Sequence, residues 1–256
     1  MNPHRARRRF GQHFLRDPGV IDAIVRAITP MATDTIVEIG PGDAALTRPL
    51  AARVAALHAI ELDRDLAKRL RQQFADRDNV TIHEADALKF DYSTLGNSLR
   101  IVGNLPYNIS TPLLFALLDH REHLLDMHFM LQKEVVDRMA ASPGCKAYGR
   151  LGIMLGCHFQ IDALFDVDRL AFEPPPDVTS SIVRLAPLPA GIYIINDEAR
   201  LSQLVARAFS QRRKTIRNAL RSVADEAMLE SVGIDPGLRP EQIPIDGYVR
   251  LANTLE

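Results

Sequence analysis

A chain of 256 residues, 46% hydrophobic and 25% charged, can bury a full core and predicts one larger domain with a smaller appendage. Its net charge of −1 singles out no partner, and Cys145 and Cys157 share no metal-ligand spacing and form no disulfide framework. The apolar segment after the basic start is broken by Asp17, Pro18, Asp22 and Arg26, which reads against a signal peptide, and no apolar run is long enough to span a bilayer. A reducing, cytoplasmic setting is the simplest expectation.

In chain order, residues 1–16 form a basic segment, flexible up to about Phe10, that holds Arg5, Arg7, Arg8, Arg9 and Arg16 before any acid. A helix entered through Asp17 and Pro18 follows, with Val20, Ile21, Ile24, Val25 and Ile28 on its apolar face. Thr35 to Ile39 reads as a buried strand that breaks into Gly40-Pro-Gly-Asp43, with a helix expected from Ala44 to about Arg53. A second strand, Ala55 to Leu62, leads to a charged helix from Arg64 to Phe74, and a third strand, Val80 to Glu84, ends near Asp86. Leu99 to Val102 is a fourth strand. It ends at Gly103-Asn104-Leu105-Pro106-Tyr107, before a helix from Pro112 to Leu118.

Asp126 to Leu131 is a fifth strand, and a helix is expected over Lys133 to Ala140. Cys157 to Val167 and Ser181 to Leu185 are expected to pair antiparallel. This alternation predicts a doubly wound α/β domain with a mostly parallel sheet. Pro187-Leu-Pro189-Ala-Gly191 breaks the pattern, so the boundaries are set at 17–189 for the α/β domain and 190–256 for a small α-helical C-terminal domain. There lies a second basic cluster: Arg207, Arg212, Arg213, Lys214, Arg217 and Arg221. Arg213, Arg217 and Arg221, spaced four apart, are expected to share one helix face while Ile216, Leu220 and Val223 turn inward. Two basic clusters on a near-neutral chain predict a polyanion partner.

Ligands of open α/β sheets collect at the carboxyl ends of strands. The glycines after Glu38-Ile39 let backbone approach a ligand, whether NAD, a nucleoside sulfonium or simply a tight turn. Asp43, expected to cap the next helix, disfavours a pyrophosphate there and favours a cationic or zwitterionic ligand such as S-adenosylmethionine. Glu61 ends the second strand about twenty residues on, where an acid holds ribose hydroxyls. Asp86 ends the third and can accept from an adenine amino group. At the fourth strand, the Asn104 amide oxygen and the Leu105 carbonyl can converge on an amino group, and Tyr107 offers a face for a base.

Gln12-His-Phe14-Leu15, Glu38-Ile-Gly-Pro-Gly42, Glu61-Leu-Asp63, Asp86-Ala-Leu88 and Asn104-Leu-Pro-Tyr107 occur in an order and spacing that resembles the rRNA adenine N6-dimethyltransferases. Gln132-Lys-Glu-Val135, Tyr148-Gly-Arg-Leu151 and the segment from Phe172 to Ser180 extend the resemblance, which is greatest to the bacterial small-subunit enzymes. The resemblance implies a class I methyltransferase fold, S-adenosylmethionine as methyl donor, and two adjacent adenosines of the 3′-terminal hairpin of 16S rRNA as substrate. It implies cofactor contacts from His13, Leu15, Gly40, Glu61, Asp86 and Asn104, and a clamp on the target base from Tyr107 and an exposed Phe172. Arg7, Arg8, Arg9, Arg213, Lys214, Arg217 and Arg221 would bind RNA; a monomer without metal or membrane partner is expected. Two departures stand out: His13 replaces a usual Asn, and Ala44 replaces a glycine that many relatives carry, a methyl that fits if the backbone there is helical. The rival readings are a large-subunit methyltransferase of the macrolide-resistance type and a non-catalytic assembly factor on the same fold.

Overall fold

The computed structural model describes residues 13–107 and 109–255, so Arg7, Arg8 and Arg9 lie outside the described residues. The chain divides into two compact units, Met1–Val136 with Asp162–Pro187, and Asp137–Ile161 with Leu188–Glu256. The second unit takes in Asp137–Ile161 as well as the C-terminal helices. Pro187–Gly191 marks one crossing by its composition, but a segment that leaves a domain and returns to it carries no such punctuation.

The first unit begins with β1 (Phe14–Leu15) and α1 (Pro18–Ile28), followed by β2 (Thr35–Ile39), α2 (Thr47–Ala51), β3 (Ala56–Glu61), α3 (Arg64–Gln73) and β4 (Val80–Glu84). Then come β5 (Leu99–Asn104), α4 (Ser110–Leu118) and β6 (Leu124–Gln132); α5 (Lys133–Met139) crosses into the second unit, α6 (Arg150–Gly156) lies within it, β7 (Phe159–Val167) crosses back, and β8 (Phe172–Glu173) and β9 (Ser180–Pro187) complete the first. Seven strands form one sheet in the order β4-β3-β2-β5-β6-β9-β7. The pairs β2–β3, β3–β4, β2–β5 and β5–β6 are parallel, and β9 enters antiparallel to β6. Near-continuous apolar runs suit such strands because helices cover both faces: Ile36, Val37, Leu57, Ala59, Ile101 and Val102 are fully buried. Strand order reverses between β2 and β5, which opens a crevice at their carboxyl ends.

Local chemistry starts α1 and α3 where the sequence predicts, whereas α2 starts at Thr47 rather than Ala44 and α4 at Ser110 rather than Pro112. Asp17 accepts from Val20 N at 3.0 Å with Pro18 in the first turn, and Asp63 accepts from Asp65 N at 2.9 Å at the head of α3. The β1 strand pairs antiparallel with β8, Phe14 opposite Glu173 and Leu15 opposite Phe172. This ribbon overturns the expectation of an exposed Phe172. The side chain is 4% exposed and packs into a core with Leu15, Leu46, Met130 and Ile182. Strand alternation turns it inward and sends Glu173 out.

In the second unit, α7 (Glu198–Ser210), α8 (Ile216–Leu220), α9 (Glu226–Ser231) and α10 (Ile245–Thr254) bury Leu201, Val205, Ile216, Leu220, Leu229 and Tyr248. The single arginine face predicted here does not form. The α7 helix ends at Ser210 and Thr215 is extended, so Arg213 and Lys214 lie in the turn, Arg217 on α8 and Arg221 just past its end. All four are exposed, Arg217 pairs with Glu226 at 3.1 Å, and Val223 is 38% exposed rather than inward.

Arg100 fastens the start of β5. Its Nε and Nη2 each donate to Asp126 at 2.9 Å, Nη1 to Asp34 at 2.7 Å and Thr29 O at 3.2 Å, and Nη2 to Ile28 O at 2.6 Å. Every guanidinium N–H is thereby used, which is what makes its burial tolerable. Arg100→Met strands the buried Asp126 and the partly buried Asp34, and a loss of about 3–5 kcal/mol in urea unfolding is expected. A loss below about 1 kcal/mol would show that the network is dispensable.

Candidate active site

A cavity of about 370 Å³ opens at the carboxyl ends of β2, β3, β4 and β5. Its floor is the turn after β2. Gly40 and Gly42 have φ of +66° and +54°, and their N–H groups donate to Ile60 O at 2.9 Å and Glu61 Oε2 at 3.3 Å. Ala44 has φ +65°, so the argument that its methyl sits on a helix fails: α2 starts only at Thr47. The left-handed backbone costs an L-residue about 1 kcal/mol and is sustained here by complete burial of the methyl. Asp43 does not cap α2 either. Leu46 precedes that helix without a side-chain cap, and Asp43 accepts from Arg16 Nη2 at 2.7 Å. The case against a pyrophosphate therefore rests on the other acids of the cavity.

Glu61 is buried at the end of β3, with Oε1 accepting from Asp63 N at 2.9 Å. Burial raises its pKa, against the pull of the Asp63 and Gly42 N–H bonds. Asp86, past the end of β4, accepts from Leu88 N at 3.0 Å and lines the cavity, as do Leu15 and His13. Glu38 also lines it, a residue that sequence reasoning quoted in a motif but gave no role. Its Oε2 has no hydrogen-bond partner among the described residues, and burial, with the nearby Glu61 charge in the same direction, raises its pKa to about 7. A glutamate inside a buried parallel strand was itself a signal, since such positions are ordinarily apolar.

The opposite wall is the end of β5. A Cβ on Gly103 would lie 2.7 Å from Ile39 O, so only glycine lets β5 approach β2 this closely. Asn104 Nδ2 donates to His13 O at 3.0 Å. A carbonyl only accepts, so this bond fixes which way the amide faces and leaves Oδ1 as an acceptor. Leu105 is anchored by its N–H to Met130 O at 3.3 Å, and it lines the cavity together with Pro106 and Tyr107. The Tyr107 hydroxyl is 2.9 Å from Ser180 Oγ, and burial raises its pKa against that bond, which keeps it protonated at neutral pH. Ser180 is a second participant that the sequence motif contained without a role. Phe172 is not among the residues that line the cavity, so the ring beside Tyr107 is that of His13, at 6.0 Å and 27°. Among the described residues no group of three or more His, Cys, Asp or Glu is placed to hold a metal.

A family model described as ribosomal RNA adenine dimethylase matches residues 3–256. A ribosomal RNA small subunit methyltransferase A of Aromatoleum aromaticum is 56% identical over 253 residues, covering 99% of this chain and 95% of that protein. The protein of that name from Chromobacterium violaceum is 52% identical, covering 100% and 97%. A dimethyladenosine transferase structure from Plasmodium falciparum superposes with TM-score 0.80 at 26% identity, over 93% of this chain and 96% of that one. The 23S rRNA methyltransferase ErmE gives TM-score 0.76 at 26% identity, over 94% and 98%. With a class I methyltransferase sheet, acids at successive strand ends and an oriented asparagine at the fourth, the chain belongs to the ribosomal RNA adenine dimethylase family.

Proposed function

We propose that the chain transfers methyl groups from S-adenosylmethionine to N6 of two adjacent adenosines in the 3′-terminal hairpin of 16S rRNA, each twice, during small-subunit assembly in the cytoplasm. The observation that carries this reading is the Asn104 amide, held by His13 O so that Oδ1 is presented as an acceptor. The small-subunit target is favoured over a large-subunit one because relatives above 50% identity bear the small-subunit name, whereas the 23S enzyme is 26% identical.

The cavity fits the cofactor on its own chemistry. S-adenosylmethionine brings a cationic sulfonium that carries a transferable methyl, an adenosine and an amino-acid head. Buried carboxyls at Glu38 and Glu61 suit a cation. Glu61 and Asp86 would take the hydroxyls and the adenine amino group, with Leu15 and the Gly40 turn as walls.

The N6 lone pair of adenine is delocalised into its ring and is a weak nucleophile. In the first transfer, accepting its two N–H bonds at Asn104 Oδ1 and Leu105 O would hold the nitrogen toward tetrahedral geometry, lone pair facing the cavity; in the second, one of the two acceptors would take the single remaining N–H. Positioning of this kind supplies several kcal/mol of a barrier, on the order of 10³-fold in rate. The adenosine must leave its stack to reach these acceptors, and Tyr107 offers the ring that receives it. Arg213, Lys214, Arg217 and Arg221 would bind phosphates, fixing position without reading sequence.

The direct test is transfer of labelled methyl from the cofactor to small subunits lacking the mark; labelling of large subunits instead would overturn the assignment. Asn104→Ala is expected to lower methyl transfer by at least about 10²-fold while cofactor affinity changes only a few-fold, and near-normal turnover would remove Asn104 from the chemistry. Because a carboxylate and not a carboxylic acid attracts the cation, and the Glu38 pKa lies at about 7, cofactor affinity should rise with pH between pH 6 and 8. The expected rise is about tenfold, flattened in Glu38→Gln. Identical profiles for the two proteins would remove Glu38 from that role. Replacing Arg213, Lys214 and Arg221 with Gln should reduce the slope of log affinity against log salt by about 2–3. An unchanged slope would place the RNA elsewhere.

A further inference from the structure

We propose, on the reading above, that Ser180 is a positioning residue whose hold on the Tyr107 ring matters chiefly for the second methyl placed on each adenosine. The strand ladder brings it there. Asn104 on β5 lies opposite Met130 on β6, and Gln132, two residues on, lies opposite Ser180 at the start of β9. Lys133 N donates to Thr179 O at 3.0 Å, which fixes the chain just before Ser180. Ser180 is fully buried, and its Oγ lies 2.9 Å from the Tyr107 hydroxyl. At the other end of Tyr107, Ser110 Oγ donates to the main-chain carbonyl at 3.1 Å. Tyr107 is thus pinned at its backbone and at the tip of its side chain, and the ring between them cannot swing without breaking a bond. Ser180 is not among the residues that line the cavity, so it reaches the reaction only through that ring.

The two transfers ask different things of this corner. Each forms an N–C bond at N6 while a C–S bond breaks with its electron pair left on sulfur, and one N–H proton passes to solvent. An unmethylated amine offers two N–H groups, one each for Asn104 Oδ1 and Leu105 O. After the first transfer a single N–H is left, one acceptor has no donor, and directed hydrogen bonds hold the nitrogen less firmly. Stacking does not depend on the number of N–H groups, so the Tyr107 ring carries a larger share of the second positioning. A tether that keeps the ring still therefore counts for more in the second step than in the first.

The two steps separate in a single-turnover time course, with full-length protein in excess over small subunits lacking the mark and S-adenosylmethionine saturating. Mass spectrometry of the digested rRNA counts N6-methyladenosine and N6,N6-dimethyladenosine. In Ser180→Ala the first transfer is expected to slow by about threefold and the second by about tenfold or more, the size of effect of one lost hydrogen bond, so that monomethyl product accumulates. Tyr107→Phe keeps the ring and removes the other end of the same bond; it should show the same split, and the double variant should be no slower than the slower single. Cofactor affinity of Ser180→Ala, measured by calorimetry, is expected within about twofold of wild type, because no cavity residue is touched. If alanine at the buried position prevents folding, the split in Tyr107→Phe alone decides. Equal slowing of both transfers, additive losses in the double variant, or a fall in cofactor affinity that parallels the loss of activity would overturn the proposal. A wild-type protein that labels no small subunits would overturn the assigned reaction as well, whereas normal wild-type labelling with indifferent variants would overturn the role of Ser180 alone.

Discussion

The approach of β5 to β2 at Gly103 is the contact on which the site depends. Ile39 O lies where any side chain on residue 103 would be, so the two strands close together only with glycine there. That contact sets the turn after β2 beside the end of β5, where a Cβ on Gly40 would lie 4.0 Å from Asn104 O. One side of the crevice then carries glycines and acids suited to a cationic nucleoside, and the other carries an amide and a ring suited to a planar amine. Donor and acceptor chemistry meet because two adjacent parallel strands end together at the point where strand order reverses.

Both walls are made rigid by bonds that a side chain cannot make with itself. Glu61 ties the end of β3 to the glycine turn through Gly42 N and to the start of α3 through Asp63 N. Asn104 is tied to residue 13 and Tyr107 to Ser180. At the other end of β5, Arg100 binds two carboxylates and two carbonyls. The strand is therefore fixed by charge at its start and by directed hydrogen bonds at its end, and between them Ile101 and Val102 are fully buried. Preorganisation of this kind spares the site reorganisation when substrate arrives.

Much of this was legible in the residues. Apolar runs bounded by glycine and acid marked β2, β3 and β5, capping residues marked α1 and α3, and Glu61 and Asp86 both line the cavity. What was not legible depended on partners distant in sequence or on a backbone angle. Phe172 reads as exposed among prolines until β1, more than 150 residues earlier, pairs with it. Asp43 reads as a helix cap because it follows glycine, but Arg16 draws it away and the helix starts late. Ala44 gives no sign of its positive φ, since alanine favours a helix. Arginines spaced by four imply one face only if the helix is unbroken, and the extended Thr215 breaks it.

The β1–β8 ribbon also orders events in time. Asn104 is oriented by residue 13, Tyr107 by residue 180, and residue 13 is steadied by residues 173 and 174. A chain still being synthesised and shorter than this holds the strands that carry Glu38, Glu61 and Asp86, but lacks what sets the amide and the ring. Long-range pairings of this kind form late because the intervening loop must close first. The contacts that fix the Tyr107 corner therefore close only once residues 173 to 180 are in the chain, after the strands that carry Glu38 and Glu61 have been made.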